Sequence, residues 1–168
     1  MEREKKKEIR KALNNKGFSL VELIIVIAII AILAGVLAPQ LIKYLDKSKK
    51  AADVQTAQTI ATAVNAALAN ETAYENAKSQ TLTTALTADL AASTTTDFQK
   101  ELQDILGKAG DPSKAPKPKY KPDTYNDFYI DINEIDKSFK IYAGNEIPST
   151  DVLKDALILY PKVGTQYK

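Results

Sequence analysis

Phe18-Ser19-Leu20-Val21-Glu22-Leu23-Ile24-Ile25-Val26-Ile27-Ala28-Ile29-Ile30-Ala31-Ile32-Leu33-Ala34-Gly35-Val36-Leu37-Ala38-Pro39 is the stretch that decides how the rest of the chain is read. It is apolar almost throughout and carries one charge, at Glu22. A helix of about 20 apolar residues crosses a hydrocarbon core of ~30 Å. Upstream, residues 1–17 hold seven basic side chains (Arg3, Lys5, Lys6, Lys7, Arg10, Lys11, Lys16) and three acidic ones (Glu2, Glu4, Glu8). That flank carries +4 and is expected to stay cytoplasmic while the C-terminal side crosses. A secretory signal peptide would need a small-residue cleavage site after the run. Val36-Leu37-Ala38 would put Pro39 directly after the cut, which is unfavourable, and the run is longer than a usual signal core.

Downstream of Pro39 the helical pattern continues. Leu41, Leu45, Val54, Ala57, Ile60, Ala61, Val64, Ala67 and Leu68 recur mostly at spacings of three and four, the stripe of an amphipathic helix. Lys43, Asp46, Lys47, Lys49, Lys50 and Asp53 are expected on its early exposed side. No glycine or proline occurs between Pro39 and Gly107. One helix is therefore predicted from about Phe18 to about Asn70, roughly 80 Å at 1.5 Å per residue.

The remainder reads as a small mixed region. Residues 79–97, with Leu82, Leu86 and Leu90, suit a short helix or an ordered loop. Residues 97–106 suit a second helix, capped by Thr96 or Asp97 and ended by Gly107 or Gly110. Residues 111–122 read as an extended proline-lysine linker without a packed core. Phe128, Ile130 and Ile132 alternate with Asp127, Tyr129 and Asp131. Phe139, Ile141 and Ala143 alternate with Ser138, Lys140 and Tyr142. These are two half-buried strands of an antiparallel hairpin. Ala156–Tyr160 is expected as a third strand, with residues 151–155 as the alternative start of a helix. A hairpin alone is marginal, so the sheet needs a partner, and the second half of the long helix is the available one.

Composition closes several routes. The 168 residues contain no cysteine and no histidine, which removes disulfides, thiolate chemistry, Cys/His zinc sites and the usual general base. The net charge is +2, so setting aside the +4 of residues 1–17 leaves about −2 for residues 18–168. A body of that charge has no general attraction for nucleic acid. The sequence predicts no enzyme, no catalytic residues, no cofactor and no nucleic-acid partner.

Lys16-Gly17-Phe18-Ser19-Leu20-Val21-Glu22, followed by the apolar run, resembles the class III signal of type IV prepilins and pseudopilins. The resemblance covers residues 10–45. It implies an α+β type IV pilin fold, a long N-terminal helix packed on a small antiparallel sheet, here without the disulfide many pilins use. That lack hints at a Gram-positive-like branch. The resemblance also implies cutting by a prepilin peptidase between Gly17 and Phe18 and N-methylation of Phe18. The implied divisions are a removed cytoplasmic leader (1–17), a membrane and filament-core half-helix (18–39) and an amphipathic half-helix (40–76). A variable region with the Pro-Lys linker (77–122) and a β-sheet region (123–168) follow.

The expected role is a structural subunit of a type IV pilus serving adhesion, twitching motility or biofilm formation. Its implied partners are copies of itself in a helical filament, the prepilin peptidase and the pilus assembly platform protein. It would sit as a single-pass protein in the cytoplasmic membrane and then be extracellular in the pilus. The alternatives are a pseudopilin of a type II secretion or competence DNA-uptake machine, and a membrane-tethered binding domain.

Elementary electrostatics singles out Glu22. A charge at the bilayer centre costs about 2.5–3.5 kcal/mol on the lenient insertion scale, less near the interface. No Lys or Arg lies between Lys16 and Lys43. The natural partner is the α-amine that cleavage would create at Phe18, four residues away on the same helical face. Gly35 and Pro39 are a second pair: the proline ring clashes with the carbonyl four residues earlier and removes a hydrogen bond. Residues 35–39 are the expected weak point of the helix. Lys114, Lys117, Lys119 and Lys121 with Tyr120 are read as a solvated linker rather than an anion site. Asp123, Asp127 and Asp131 follow no calcium-loop pattern, and no metal is expected.

Overall fold

The computed structural model describes residues 18–87, 95–106 and 115–168. The predicted leader (1–17, Gly17 included), Leu90, Gly107, Gly110 and Lys114 lie outside the described residues. Two compact units result, one ending at Lys43 and one beginning at Tyr44. Helix α1 (Leu20–Ala67) is 48 residues long and contributes to both. In the first unit no described side chain is buried.

In the second unit α1 supplies one wall of the core through Ala57, Ile60, Ala61, Ala63, Val64 and Ala67. Four of these six are alanines, so the helix offers the core a wall of small side chains. The apolar stripe does not reach as far up as the spacing suggested: Leu41 and Leu45 stay 60% and 51% exposed. α1 also ends sooner than Asn70. The amides of Ala69 and Asn70 bond three residues back, to Ala66 and Ala67, which tightens the last turn. Asn70 then caps a separate helix α2 (Glu71–Asn76), accepting the N–H groups of Thr72 and Ala73 at 3.0 and 3.3 Å. Residues 71–76 are thus a new element and not the tail of α1.

A two-residue strand β1 (Gln80–Thr81) leads into α3 (Leu82–Thr87), and α4 (Asp97–Leu106) follows. Thr96 and Gln99 form a reciprocal capping box at the start of α4. The Gln99 N–H donates to Thr96 Oγ1 (3.3 Å) and the Thr96 N–H to Gln99 Oε1 (3.1 Å). Strands β2 (Phe128–Ile132) and β3 (Phe139–Ala143) form the expected hairpin, pairing Phe128 with Ala143 and Ile132 with Phe139. Helix α5 (Asp151–Leu157), capped by Thr150, precedes β4 (Ile158–Tyr160). The sheet is fully antiparallel in the order β1-β2-β3-β4. β1 is too short to leave a period-two signature; Ser79 anchors it by accepting the Ile132 N–H at 2.7 Å.

Phe128, Ile130, Ile132 and Ile141 join the α1 wall, Leu82 and Leu86 of α3, and Phe98 and Leu102 of α4 in one core. This is the α+β arrangement of a long N-terminal helix with a small antiparallel sheet, in a chain with no cysteine. Two side chains depart from the alternation. Tyr142, expected outward, is 1% exposed, because α5 packs against β3. Asp127, also expected outward, is buried and accepts the N–H groups of Phe128 (2.8 Å) and, at the start of α3, Thr83 (3.3 Å).

The largest correction concerns Asp53. Its side chain is buried, not solvated, and its carboxylate accepts the backbone N–H groups of Lys119 (2.7 Å) and Tyr120 (2.9 Å). The presumed linker is therefore fixed to α1 at its C-terminal part, where Ala115 and Pro118 are also buried. Lys50 and Lys121 both lie over the Tyr120 ring, 4.9 and 5.4 Å from its centre. Tyr167 meets that ring edge-on at 5.5 Å.

Burial pushes the Asp53 carboxyl above its ordinary range, against the pull of the two N–H groups and the Lys119 charge. The folded state then holds the proton more tightly than the unfolded chain. Asp53 consequently adds stability as pH falls from neutrality toward about 4, and that gain is lost as pH rises through its folded pKa. Asp53→Ala is expected to cost about 1–3 kcal/mol by leaving two amides without their acceptor. Asp53→Asn should flatten the pH dependence between pH 7 and 4. Thermal denaturation across that range measures both.

Candidate functional site

The first unit is built from the N-terminal apolar segment. Between Leu20 and Leu37 its large apolar side chains are each 50–74% exposed. The most apolar 18-residue window of α1 has a mean hydropathy of 3.1, which makes the helix long and apolar enough to cross a membrane. A helix that is apolar on every face calls for lipid or other protein around it.

The head of this segment has a defined geometry. Phe18 and Ser19 precede the helix, and Phe18 is 88% exposed. The Leu23 N–H donates to the Ser19 carbonyl (3.1 Å), closing the first turn. Glu22 turns back toward the N-terminus, and its Oε2 accepts the Ser19 N–H at 2.8 Å. This is the acidic half of a capping box, Ser19-Leu20-Val21-Glu22. A carboxylate there also opposes the positive end of the helix dipole. The S-x-x-E spacing was present in the sequence, but attention to the membrane cost of Glu22 hid its local role. Ser19 is thus a site residue that sequence reasoning passed over.

Gly35 and Pro39 both lie inside α1, which continues as α-helix through the proline. A Cβ added at Gly35 would meet nothing within 4 Å, so packing within the chain does not call for glycine there. Asp123, Asp127 and Asp131 do not converge. Asp127 serves the amides described above and Asp131 Oδ1 accepts from the Ser79 hydroxyl at 3.3 Å. Among the described residues no three acidic side chains group as metal ligands would.

Residues 13–38 match the family model described as the prokaryotic N-terminal methylation motif. Comparison with curated proteins and with solved structures gives no match. The motif supports a type IV pilin-like prepilin with a class III signal peptide, of the pilin or pseudopilin kind. It points to a structural protein, and it implies prepilin peptidase processing and pilus assembly machinery. Together with the apolar helix it fits a membrane-anchored precursor.

The cap and the charge of Glu22 are separable. In detergent micelles Glu22→Ala is expected to speed exchange of the Ser19 amide several-fold, the equivalent of a lost cap at about 0.5–2 kcal/mol. Glu22→Gln keeps an acceptor oxygen and should retain most of the protection. Hydrogen-exchange NMR of the first turn distinguishes the two.

Proposed function

We propose that this chain is the subunit of a type IV pilus, polymerised through its N-terminal helix. The observation that carries the proposal is the overlap of the methylation motif with an apolar helix segment that buries nothing of its own. In this reading residues 1–17 are a leader removed by cleavage between Gly17 and Phe18, and the new N-terminus is N-methyl-Phe18. Residues 18–39 form the membrane span and then the filament core. Residues 40–76 carry the helical connection to the rest, 77–122 form a variable region and 123–168 the sheet region.

Cleavage would leave an ammonium at residue 18, beside the residue whose amide Glu22 already reaches. Methylation keeps that charge. The Glu22 carboxylate would pair with this amine, its own or a neighbour's, and so fix register as each subunit is added from the assembly platform protein. An ion pair is far cheaper in an apolar interior than a lone carboxylate. Gly35 and Pro39 would form the stretch that yields during assembly, since the proline leaves the Gly35 carbonyl without its helical donor. The mature subunit would then reside in an extracellular fibre serving adhesion, twitching motility or biofilm formation.

Mass spectrometry of sheared surface material should find a chain beginning at methylated Phe18. An intact leader, or a start after Ala38, would overturn the proposal. Glu22→Gln is expected to cut the yield of sheared filaments at least tenfold, about 1.4 kcal/mol per added subunit. Normal yield from that variant would leave the cap, and not the charge, as the purpose of Glu22.

A further inference from the structure

Two surface features of the second unit complement each other. The first is the tip of the β2–β3 hairpin, Asn133–Ser138. Ile135 is 91% exposed there, between exposed Glu134 and Asp136. The tip is held firmly. Asn133 Oδ1 accepts the Ile135 N–H (2.9 Å), Asp136 Oδ1 accepts the Ser138 N–H (2.9 Å), and Asn133 and Lys137 close the turn through their backbones. The adjacent cation is drawn away, since Lys137 Nζ donates to the Ala77 carbonyl (3.2 Å) and lies over the Tyr74 ring. An exposed apolar side chain on a backbone turn fixed in this way, with a carboxylate on either side, is a preorganised knob.

The second feature is a cleft of about 470 Å³ between β3 and α5, within the size range of ligand pockets. Lys140, Lys154 and Lys162 line it, with Pro161 as its exposed apolar part and the buried Ile158 and Tyr142 behind. Its two acidic groups are engaged: Asp151 with Lys154 at 3.4 Å and Asp155 with Lys162 at 3.5 Å. Lys140 makes no ion pair among the described residues. The Pro161–Gly164 wall is fixed by the Gly164 N–H to the Ile158 carbonyl (2.7 Å). Gly164 lies so close to α5 that a Cβ would collide with the carbonyl oxygens of Ala156 and Asp155.

We infer that the acidic, isoleucine-tipped hairpin of one copy docks into the lysine-lined cleft of another copy. Ile135 meets Pro161 and the lysine methylenes, while Glu134 and Asp136 meet the lysines, Lys140 first because it makes no ion pair of its own, although Asp131 stands across the sheet from it. Tip and cleft are different surfaces of one chain, so the contact is heterologous and propagates from copy to copy. The inference rests on the filament reading for the place where the contact forms.

The chain has no cysteine, so introduced pairs report without background. Two differently tagged full-length copies are co-expressed, one with Glu134→Cys and the other with Val152→Cys on α5 beside the cleft, which leaves Ile135 and the cleft lysines in place, and the cells are oxidised. The expected product is a disulfide-linked species carrying both tags. Adding Lys140→Glu to the second copy should reduce it at least fivefold. All these positions are exposed, so folding is not at stake. Absence of the doubly tagged species, or its indifference to charge reversal, overturns the inference. Sheared filaments without the crosslink sink this contact alone. The crosslink without filaments supports the contact and sinks the filament reading.

Discussion

The constraint behind everything else is apolar surface that the chain leaves uncovered. From Leu20 to Leu37 no large side chain of α1 is less than half exposed. Water around such a rod is unfavourable by roughly 25 cal/mol for every Å². The segment must therefore live in lipid or among other helices, and its single carboxylate must be placed where that medium tolerates it. Glu22 answers locally by turning back to the Ser19 amide.

Beyond residue 50 the same helix solves a different problem. It becomes a core wall, and its buried residues join those of the sheet, α3 and α4 in one core in a chain with no cysteine. What replaces a covalent tie is polar. Asp53 holds the Lys119–Tyr120 backbone, Asp127 holds the start of α3, and Ser79 holds β1 to β2. Each is a short side chain taking backbone amides across a long sequence separation. The loops owe their order to these contacts more than to their own composition.

Much of this was readable beforehand because it is periodic. The 3.6-residue recurrence gave α1 and α4, and the alternation from Phe128 to Ala143 gave the hairpin, though not its register. The errors fell where one side chain reaches far along the sequence. Asp53 sat among lysines and aspartates that are solvated, so its spacing argued for solvent. A charge pattern does not show which carboxylate will face a returning loop. Tyr142 failed for the same reason: alternation assumes one open face, and α5 closes the other.

By itself the sequence determined the apolar segment, its basic flank, the Gly17-Phe18 junction, the position of Glu22 and the order of the main helices and strands. These follow from local composition and period, which need no knowledge of what lies opposite. Tertiary structure alone decided the burial of Asp53 and Asp127, the ordering of residues 115–120 and the pairing of β1. It also placed the lysines of β3, α5 and the Pro161–Gly164 segment around one cleft. Those outcomes depend on which distant residues arrive beside each other, and only a folded chain specifies that.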